Sequence, residues 1–218
     1  MSKITTVKEA AARIKSGSVL HLGGFYAQGS PECLISAMLE QGVTDLTIIS
    51  NDTGTPNEGL GRLVEAGRVK KLYCSYVGLT PILPKLIEEG KVELELVPQG
   101  TLIERIRCAG YGLGGVLTPT GLGTVIEENK QVVELNGRRW LYDTPIKADV
   151  AIVEAYRADT AGNLIFRRTQ NNFNATMCTA ADLVIAEIVE PIVEAGAIDP
   201  DEIMVPGVFV DVLVRKGV

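Results

Sequence analysis

Four short segments of this chain carry the residue types from which a site for an anion or a developing oxyanion is built. They are Gly23-Gly-Phe-Tyr-Ala-Gln-Gly29, Ser50-Asn-Asp-Thr-Gly54, Tyr76-Val-Gly78 and Pro98-Gln-Gly100. Each holds glycine, which lets a ligand approach bare backbone. Amide N–H groups at a strand-to-helix turn can then bind an anion or an oxyanion. Gln28, Asn51 and Gln99 add side-chain amides, which donate hydrogen bonds without carrying charge. The competing reading is four ordinary turns, since glycine is common after strands. Four such turns at equivalent places favour a site.

A self-contained catalytic set is missing. His21 is the only histidine, and its place inside a predicted strand suits a core or sheet-face residue better than a base. A Ser-His-Asp hydrolase would depend wholly on it. No G-x-S-x-G elbow and no G-x-x-x-x-G-K-[ST] loop exists. Gly110-x-Gly112-x-x-Gly115 matches a dinucleotide fingerprint in letters, but it follows a predicted helix instead of a strand, so no helix N-terminus stands behind a pyrophosphate. Glu104 lies beside Arg105 and Arg107, where a solvated or interface ion pair explains it as well as catalysis does. Cys33, Cys74, Cys108 and Cys178 are far apart, with no C-x-x-C pair. They read as reduced core thiols, and a zinc site is not expected.

The elements that must position these loops alternate. Thr6 and Glu9 have capping-box spacing ahead of a helix running toward Gly17. Ser18–Leu22 reads as a strand, Ser30-Pro31 as the start of a helix reaching Gln41, and Leu46–Ile49 as the next strand. Val69–Tyr76 and Val92–Val97 read as strands, with a helix from Thr80-Pro81 to Glu89 between them and another capped by Thr101 after Pro98-Gln-Gly100. A glycine-rich crossing from Gly110 to Thr124 precedes Gln131–Leu135 and Arg139–Tyr142, joined by Asn136-Gly137, a strong hairpin signal. Asp149–Ala155, Leu164–Phe166, Leu183–Glu187 and Val205–Val214 complete the strand candidates. Together they predict an α/β fold in a single domain over residues 1–218. It is an open, mainly parallel sheet with helices on both faces, plus a β-hairpin insertion and a C-terminal strand region. In such sheets, ligands bind outside the carboxyl ends of the strands, where the four loops fall.

With 218 residues, 46% hydrophobic and 22% charged, the chain is long enough for one sizeable core. Its net charge of −6 and scattered basic residues argue against nucleic acid and against an anionic membrane surface. The opening residues show no apolar signal core, and no apolar run approaches the roughly 18 residues needed to cross a bilayer. A cytoplasmic location is the expectation.

Gly17-Ser-Val-Leu-His-Leu-Gly-Gly-Phe-Tyr-Ala-Gln-Gly-Ser-Pro31 resembles the N-terminal signature of family I coenzyme A transferases. Ser50–Thr53, Pro98–Arg107, Thr118–Thr124, Gly162-Asn163 and Asn172–Asn174 continue the resemblance in the family's order over nearly the whole chain. The chain looks like the α (A) subunit of an acetate, butyrate–acetoacetate or 3-oxoacid type transferase. The resemblance implies a heteromer in which a glutamate belonging to the β subunit makes the attack on an acyl-CoA. An acyl-glutamyl anhydride and a glutamyl-CoA thioester follow, with ping-pong kinetics and CoA as substrate; no cofactor or metal is implied. The Ser-Glu-Asn-Gly motif that carries this glutamate is absent here, and Glu127-Glu-Asn-Lys130 is the nearest approach. No catalytic residue is therefore expected in this chain. By resemblance, Gly23, Gly24, Phe25, Gln28 and Gly29 face the acyl group, while Asn51, Gln99 and Gly100 contact the substrate carboxylate or the glutamyl intermediate. The expected partners are the β subunit, an acyl-CoA and a short-chain carboxylate. The acyl donor and acceptor stay open among acetate, butyrate, acetoacetate and succinate.

The alternatives are a non-catalytic α/β ligand-sensing module and a stand-alone hydrolase. Sensors of this kind usually add a DNA-binding helix-turn-helix, and none is read in these residues. The hydrolase lacks a nucleophile constellation.

Overall fold

The computed structural model describes residues 2–128 and 130–217. Thr6 opens the first helix, α1 (Val7–Ala11), with a reciprocal cap: its hydroxyl accepts from Glu9 N, and the Glu9 carboxylate accepts from Thr6 N. The chain then runs through β1 (Val19–Leu22), α2 (Glu32–Gln41), β2 (Leu46–Ile49), α3 (Leu60–Glu65), β3 (Val69–Cys74), α4 (Leu83–Glu88), β4 (Glu93–Leu96) and α5 (Gln99–Gly110). Beyond α5 come β5 (Val116–Thr118), β6 (Gln131–Leu135) and β7 (Arg138–Asp143), which form a separate antiparallel sheet in the order β5-β7-β6. Asn136 and Gly137 sit at φ 55° and 69°, the two left-handed positions of a type I′ turn that the Asn-Gly pair predicts. The remaining elements are β8 (Ala148–Ala155), β9 (Arg157–Ala158), β10 (Leu164–Ile165), α6 (Asn174–Met177), β11 (Ala181–Ile188) and β12 (Val212–Arg215).

The main sheet has seven strands in the order β12-β11-β8-β1-β2-β3-β4, and every neighbouring pair is parallel. Successive side chains on each strand point to opposite faces. Leu20, Ile48, Leu72, Val150, Ile152, Ile185 and Val212 pack on one face with Ala10, Leu34, Met38, Leu63 and Leu83 from the helices α1 to α4. Ile49, Ala151, Val153, Val184, Ala186 and Leu213 pack on the other with Leu102 and Ile106 of α5 and Met177 of α6. Coverage on both faces explains the near-continuous apolar run in β8, where seven of eight residues are buried.

Several local expectations shift. The helix predicted toward Gly17 ends at Ala11. Ser30 does not cap α2: Pro31 is the cap residue, and the Ser30 hydroxyl lies against the bare α-carbons of Gly24 and Gly59. Thr80 does not open α4, because its hydroxyl donates back to Thr53 O at 3.2 Å. Thr101 does not cap α5, which starts two residues earlier, so Gln99 and Gly100 form its first turn and are not a free loop. Glu104 pairs with Arg107 at 2.6 Å instead of completing a cap. The predicted strand from Val205 shrinks to Val212–Arg215, because Pro206 leads into a 3-10 turn at Gly207–Phe209.

Candidate functional site

Chain order turns around at the middle of the sheet. From β1 the chain steps outward through β2, β3 and β4, whereas β8, β11 and β12 step outward on the other side. The crevice outside the carboxyl ends of β1 and β8 is therefore the place where an open α/β sheet receives ligands. The loop after β1 and the chain after β8 line it.

The β1 loop leaves the sheet at Gly23, whose N–H donates to Ile152 O on β8 at 3.0 Å. Phe25 and Gln28 exchange both backbone hydrogen bonds, at 3.0 and 2.9 Å, around Tyr26 and Ala27. These two L-residues sit at φ 51° and 64°, a conformation that costs energy and needs outside support. The support is Asp52, whose Oδ2 accepts from Tyr26 N at 2.9 Å. Gly23 and Gly24 are buried. A Cβ on Gly23 would stand 1.8 Å from Asn174 Oδ1, and one on Gly24, at φ 132°, would stand 2.2 Å from Ser30 Oγ. Side chains of the chain itself thus fill the space these glycines leave. Phe25, Tyr26 and Gln28 form the exposed rim, and Phe25, at 42% exposure, is not a core residue. Gly29, at φ 76°, packs against Gln170.

The β2 loop and the start of α5 join this rim through a chain of side chains. Asp52 Oδ1 accepts from Gly54 N at 2.8 Å, and Oδ2 accepts from Asn51 Nδ2 at 2.8 Å as well as from Tyr26 N. Gln99 Nε2 donates to Asn51 Oδ1 at 2.6 Å. Because a carboxylate only accepts, Asp52 fixes which way the Asn51 amide faces, and Asn51 in turn fixes Gln99. Asn51 and Asp52 are buried, whereas Gln99 is exposed and keeps one Nε2 hydrogen and its carbonyl oxygen clear of this chain of bonds. Gln99 therefore ties to the neighbouring loop and not to its own. Gly100 is exposed, with open space where a side chain would be.

Three residues outside the predicted set meet the same loop. Asn174 Nδ2 donates to Gly29 O at 3.2 Å and to Glu154 O at 2.9 Å, while its buried Oδ1 has no partner. Gln170 Nε2 donates to Glu154 Oε1 at 2.8 Å, and Lys216 pairs with the other Glu154 oxygen. The ion pair raises the Lys216 pKa against the opposing effect of its burial. Asn174 belongs to the Asn172–Asn174 segment that shares the transferase pattern; nothing local marks Glu154 or Gln170, since the β1 loop they meet is distant in sequence.

Other candidates fall away from the crevice. His21 is fully buried, its ring nitrogens have no well-formed hydrogen bond, and burial lowers its pKa to about 4. It is a core residue. Cys74, Cys108 and Cys178 are buried and Cys33 is half-buried, all as free thiols. Burial pushes Cys74 and Cys178 up to about 12, which leaves them unreactive. Glu127 accepts from Gly123 N at 2.6 Å and pairs with Arg139, and Asn129 lies outside the described residues. Arg105 turns inward to Glu95 at 2.7 Å and Thr144 O at 2.8 Å. Among the described residues, no helix is long and apolar enough to cross a membrane.

The crevice thus combines a rim of amides with the reversal point of a parallel sheet. A family model for coenzyme A transferase matches residues 4–216, and the chain belongs to that family. It is 45% identical over 210 residues to the alpha subunit of the acetate CoA-transferase of Escherichia coli strain K12, covering 96% of this chain and 95% of that protein. It is 48% identical to one subunit of the probable succinyl-CoA:3-ketoacid coenzyme A transferase of Bacillus subtilis strain 168, covering 95% of this chain and 87% of that protein. An acyl-CoA transferase structure from Escherichia coli O157:H7 superposes with a TM-score of 0.87 at 22% identity and over 99% of this chain; the chain spans about half (47%) of that longer protein.

Proposed function

We propose that this chain is the α subunit of a cytoplasmic, heteromeric CoA-transferase that exchanges CoA between a short-chain acyl-CoA and a carboxylic acid. One observation carries the reading: the rim offers hydrogen-bond donors, but the two carboxylates that meet it, Asp52 and Glu154, have both oxygens engaged. Asp52 accepts three hydrogen bonds, and Glu154 is held by Gln170 and Lys216. The nucleophile then comes from a partner β subunit, in the form of a glutamate. Its carboxylate attacks the acyl-CoA carbonyl and expels CoA thiolate, leaving an acyl-glutamyl anhydride. The thiolate attacks the glutamyl carbonyl of that anhydride, which releases the carboxylate product and forms a glutamyl-CoA thioester. A second carboxylic acid reverses these steps and leaves as its CoA ester, which gives ping-pong kinetics.

In this proposal the rim from Gly23 to Gly29 shapes the acyl pocket, with Phe25 and Gln28 facing the substrate. Gln99, oriented by Asn51, donates its remaining amide hydrogen to the oxyanion formed at each acyl transfer, and Gly100 leaves room beside it. CoA is a substrate, and no cofactor takes part. Leu113, Leu117 and Val125 in the excursion after α5 are exposed and offer an apolar face for the β subunit. The relatives' names span acetate and succinyl or 3-keto acids, so the acyl acid is left unnamed. The test is an exchange assay between acetyl-CoA and a short-chain acid, with the chain alone and co-purified with the product of the adjoining reading frame. Exchange only with both chains supports the proposal; turnover by this chain alone overturns it.

A further inference from the structure

Beside the β1 loop, a cavity of about 250 Å³ opens between Gly29 and the segment that follows β10. We propose that it is an oxyanion subsite, in which Arg167 and Arg168 bind a carboxylate or phosphate group carried by the substrate. This rests on the transferase reading for the identity of the ligand, though not for the existence of the site.

The charge balance around the cavity is the first support. Its one acid, Glu154, has both oxygens occupied, one by Gln170 and the other by Lys216. Neither Arg167 nor Arg168 pairs with a carboxylate among the described residues, although the chain as a whole carries net charge −6. Two cations without a counter-charge therefore line one concave wall. The posture of Arg167 is the second support. Its guanidinium stands 5.1 Å from the centre of the Tyr156 ring. The contact holds the cation at the cavity. No hydrogen bond from its guanidinium N–H groups to the described residues is formed, so the fork that matches a carboxylate or phosphate is available to bind.

Backbone strain is the third support. Arg168 sits at φ 53°, in the left-handed region that glycine or asparagine adopts at less cost. The strain turns Arg168 out of the regular backbone path at the wall of the cavity. Gln28 and Thr169 also line the cavity, with side chains free to add donors. The volume equals that of about eight water molecules, enough for a phosphate or a short acid chain but not for a whole CoA.

The test begins with the full chain, titrated with inorganic phosphate and with succinate and followed by amide NMR. Saturable shifts at Gly29 and Thr169 are expected, and Arg167→Gln/Arg168→Gln should weaken them at least 10-fold without lowering Tm. Absence of saturable binding, or binding unchanged in that variant, overturns the site. Arg168→Gly supplies an independent readout: it relieves the backbone strain, so Tm should hold or rise while affinity falls. A lower Tm with unchanged affinity would mean that Arg168 serves packing.

In the assembled enzyme, the double variant should raise KM about 10-fold for whichever substrate carries the anion. A rise for succinyl-CoA but not butyryl-CoA identifies a distal carboxylate. A rise for both that vanishes with 3′-dephospho-CoA identifies the phosphate. Unchanged KM for all of them overturns the substrate role. If the assembled pair exchanges nothing while the chain still binds phosphate through these arginines, the transferase reading fails and the subsite stands.

Discussion

Asp52→Asn is the sharpest perturbation of the rim. The native carboxylate is 4% exposed and accepts from Tyr26 N, Asn51 Nδ2 and Gly54 N at 2.8–2.9 Å. An amide of the same shape keeps one acceptor oxygen, so its NH2 must face at least one of these three donors. Turned the cheaper way, it abandons Gly54 N, a loss of about 1–3 kcal/mol for an unsatisfied buried donor. The other two bonds lose their charge assistance, at about 1 kcal/mol each. The expected destabilisation is about 4 kcal/mol, or a fall in Tm of about 8–16 °C for a chain of this length. The same change loosens the support of the left-handed Tyr26-Ala27 turn and the orientation of Asn51 and Gln99. If that costs about 1.4–2.8 kcal/mol at the transition state, kcat of the assembled enzyme falls about 10- to 100-fold. Thermal melts and initial rates at 25 °C measure both effects. Leu20→Ala, in the core and away from the rim, is the control: about 2–5 kcal/mol less stable, with kcat unchanged. If Asp52→Asn melts within about 1 °C of the parent and turns over normally, the relay from Asp52 to Gln99 does not operate.

Three further perturbations probe other parts of the account. Gln99→Ala should lower kcat by about 10²–10³ if its amide meets the oxyanion, and steady-state rates with an unchanged Tm check it. Gly23→Ala drives its Cβ against Asn174 Oδ1 and should destabilise by about 2–4 kcal/mol; in Gly23→Ala/Asn174→Ala the clash disappears, so the double variant should lose less than the sum of the singles. Additive losses would mean that the two residues do not meet. His21 carries a pH signature. Burial lowers its folded pKa to about 4 from an unfolded value near 6.5, so the unfolded chain binds the proton first as pH falls. Its contribution is present above pH 6.5 and is lost between pH 6.5 and 4, by about 3 kcal/mol. His21→Leu should flatten that part of the stability–pH curve; denaturant melts from pH 4.5 to 7 that keep the parent's slope would contradict it.

The middle of the sheet was readable because β1, β2 and β8 are apolar runs covered on both faces. Leu46–Ile49 and the Asn136-Gly137 hairpin fall where their patterns place them. Helix starts were less legible. Ser30, Thr80 and Thr101 have the composition of caps, but the Ser30 hydroxyl packs under two glycines, Thr80 bonds back to the β2 loop, and Thr101 lies inside α5. For Ser30 and Thr80 a tertiary contact outweighs the local preference, and for Thr101 the helix starts earlier, after Pro98. The third strand of the small sheet, Val116–Thr118, was hidden in a glycine-rich stretch and forms only because β7 offers it an edge. The rim itself was visible in Gly23–Gly29, Asn51 and Gln99. Asp52 carried no signal beyond its turn-rich segment, and its hold on Tyr26 crosses to another loop. Glu154, Gln170 and Asn174 reach the β1 loop from more than 100 residues away, a distance over which local pattern carries no signal.

The central claim is that this chain supplies the binding wall and a partner supplies the nucleophile. The most direct measurement is to incubate the assembled pair with acyl-CoA and no acceptor acid, then locate the covalent CoA adduct by peptide mass spectrometry. The account predicts a thioester on one glutamate of the partner and none on this chain. An adduct on a glutamate of this chain, Glu127 or Glu154 included, would contradict it.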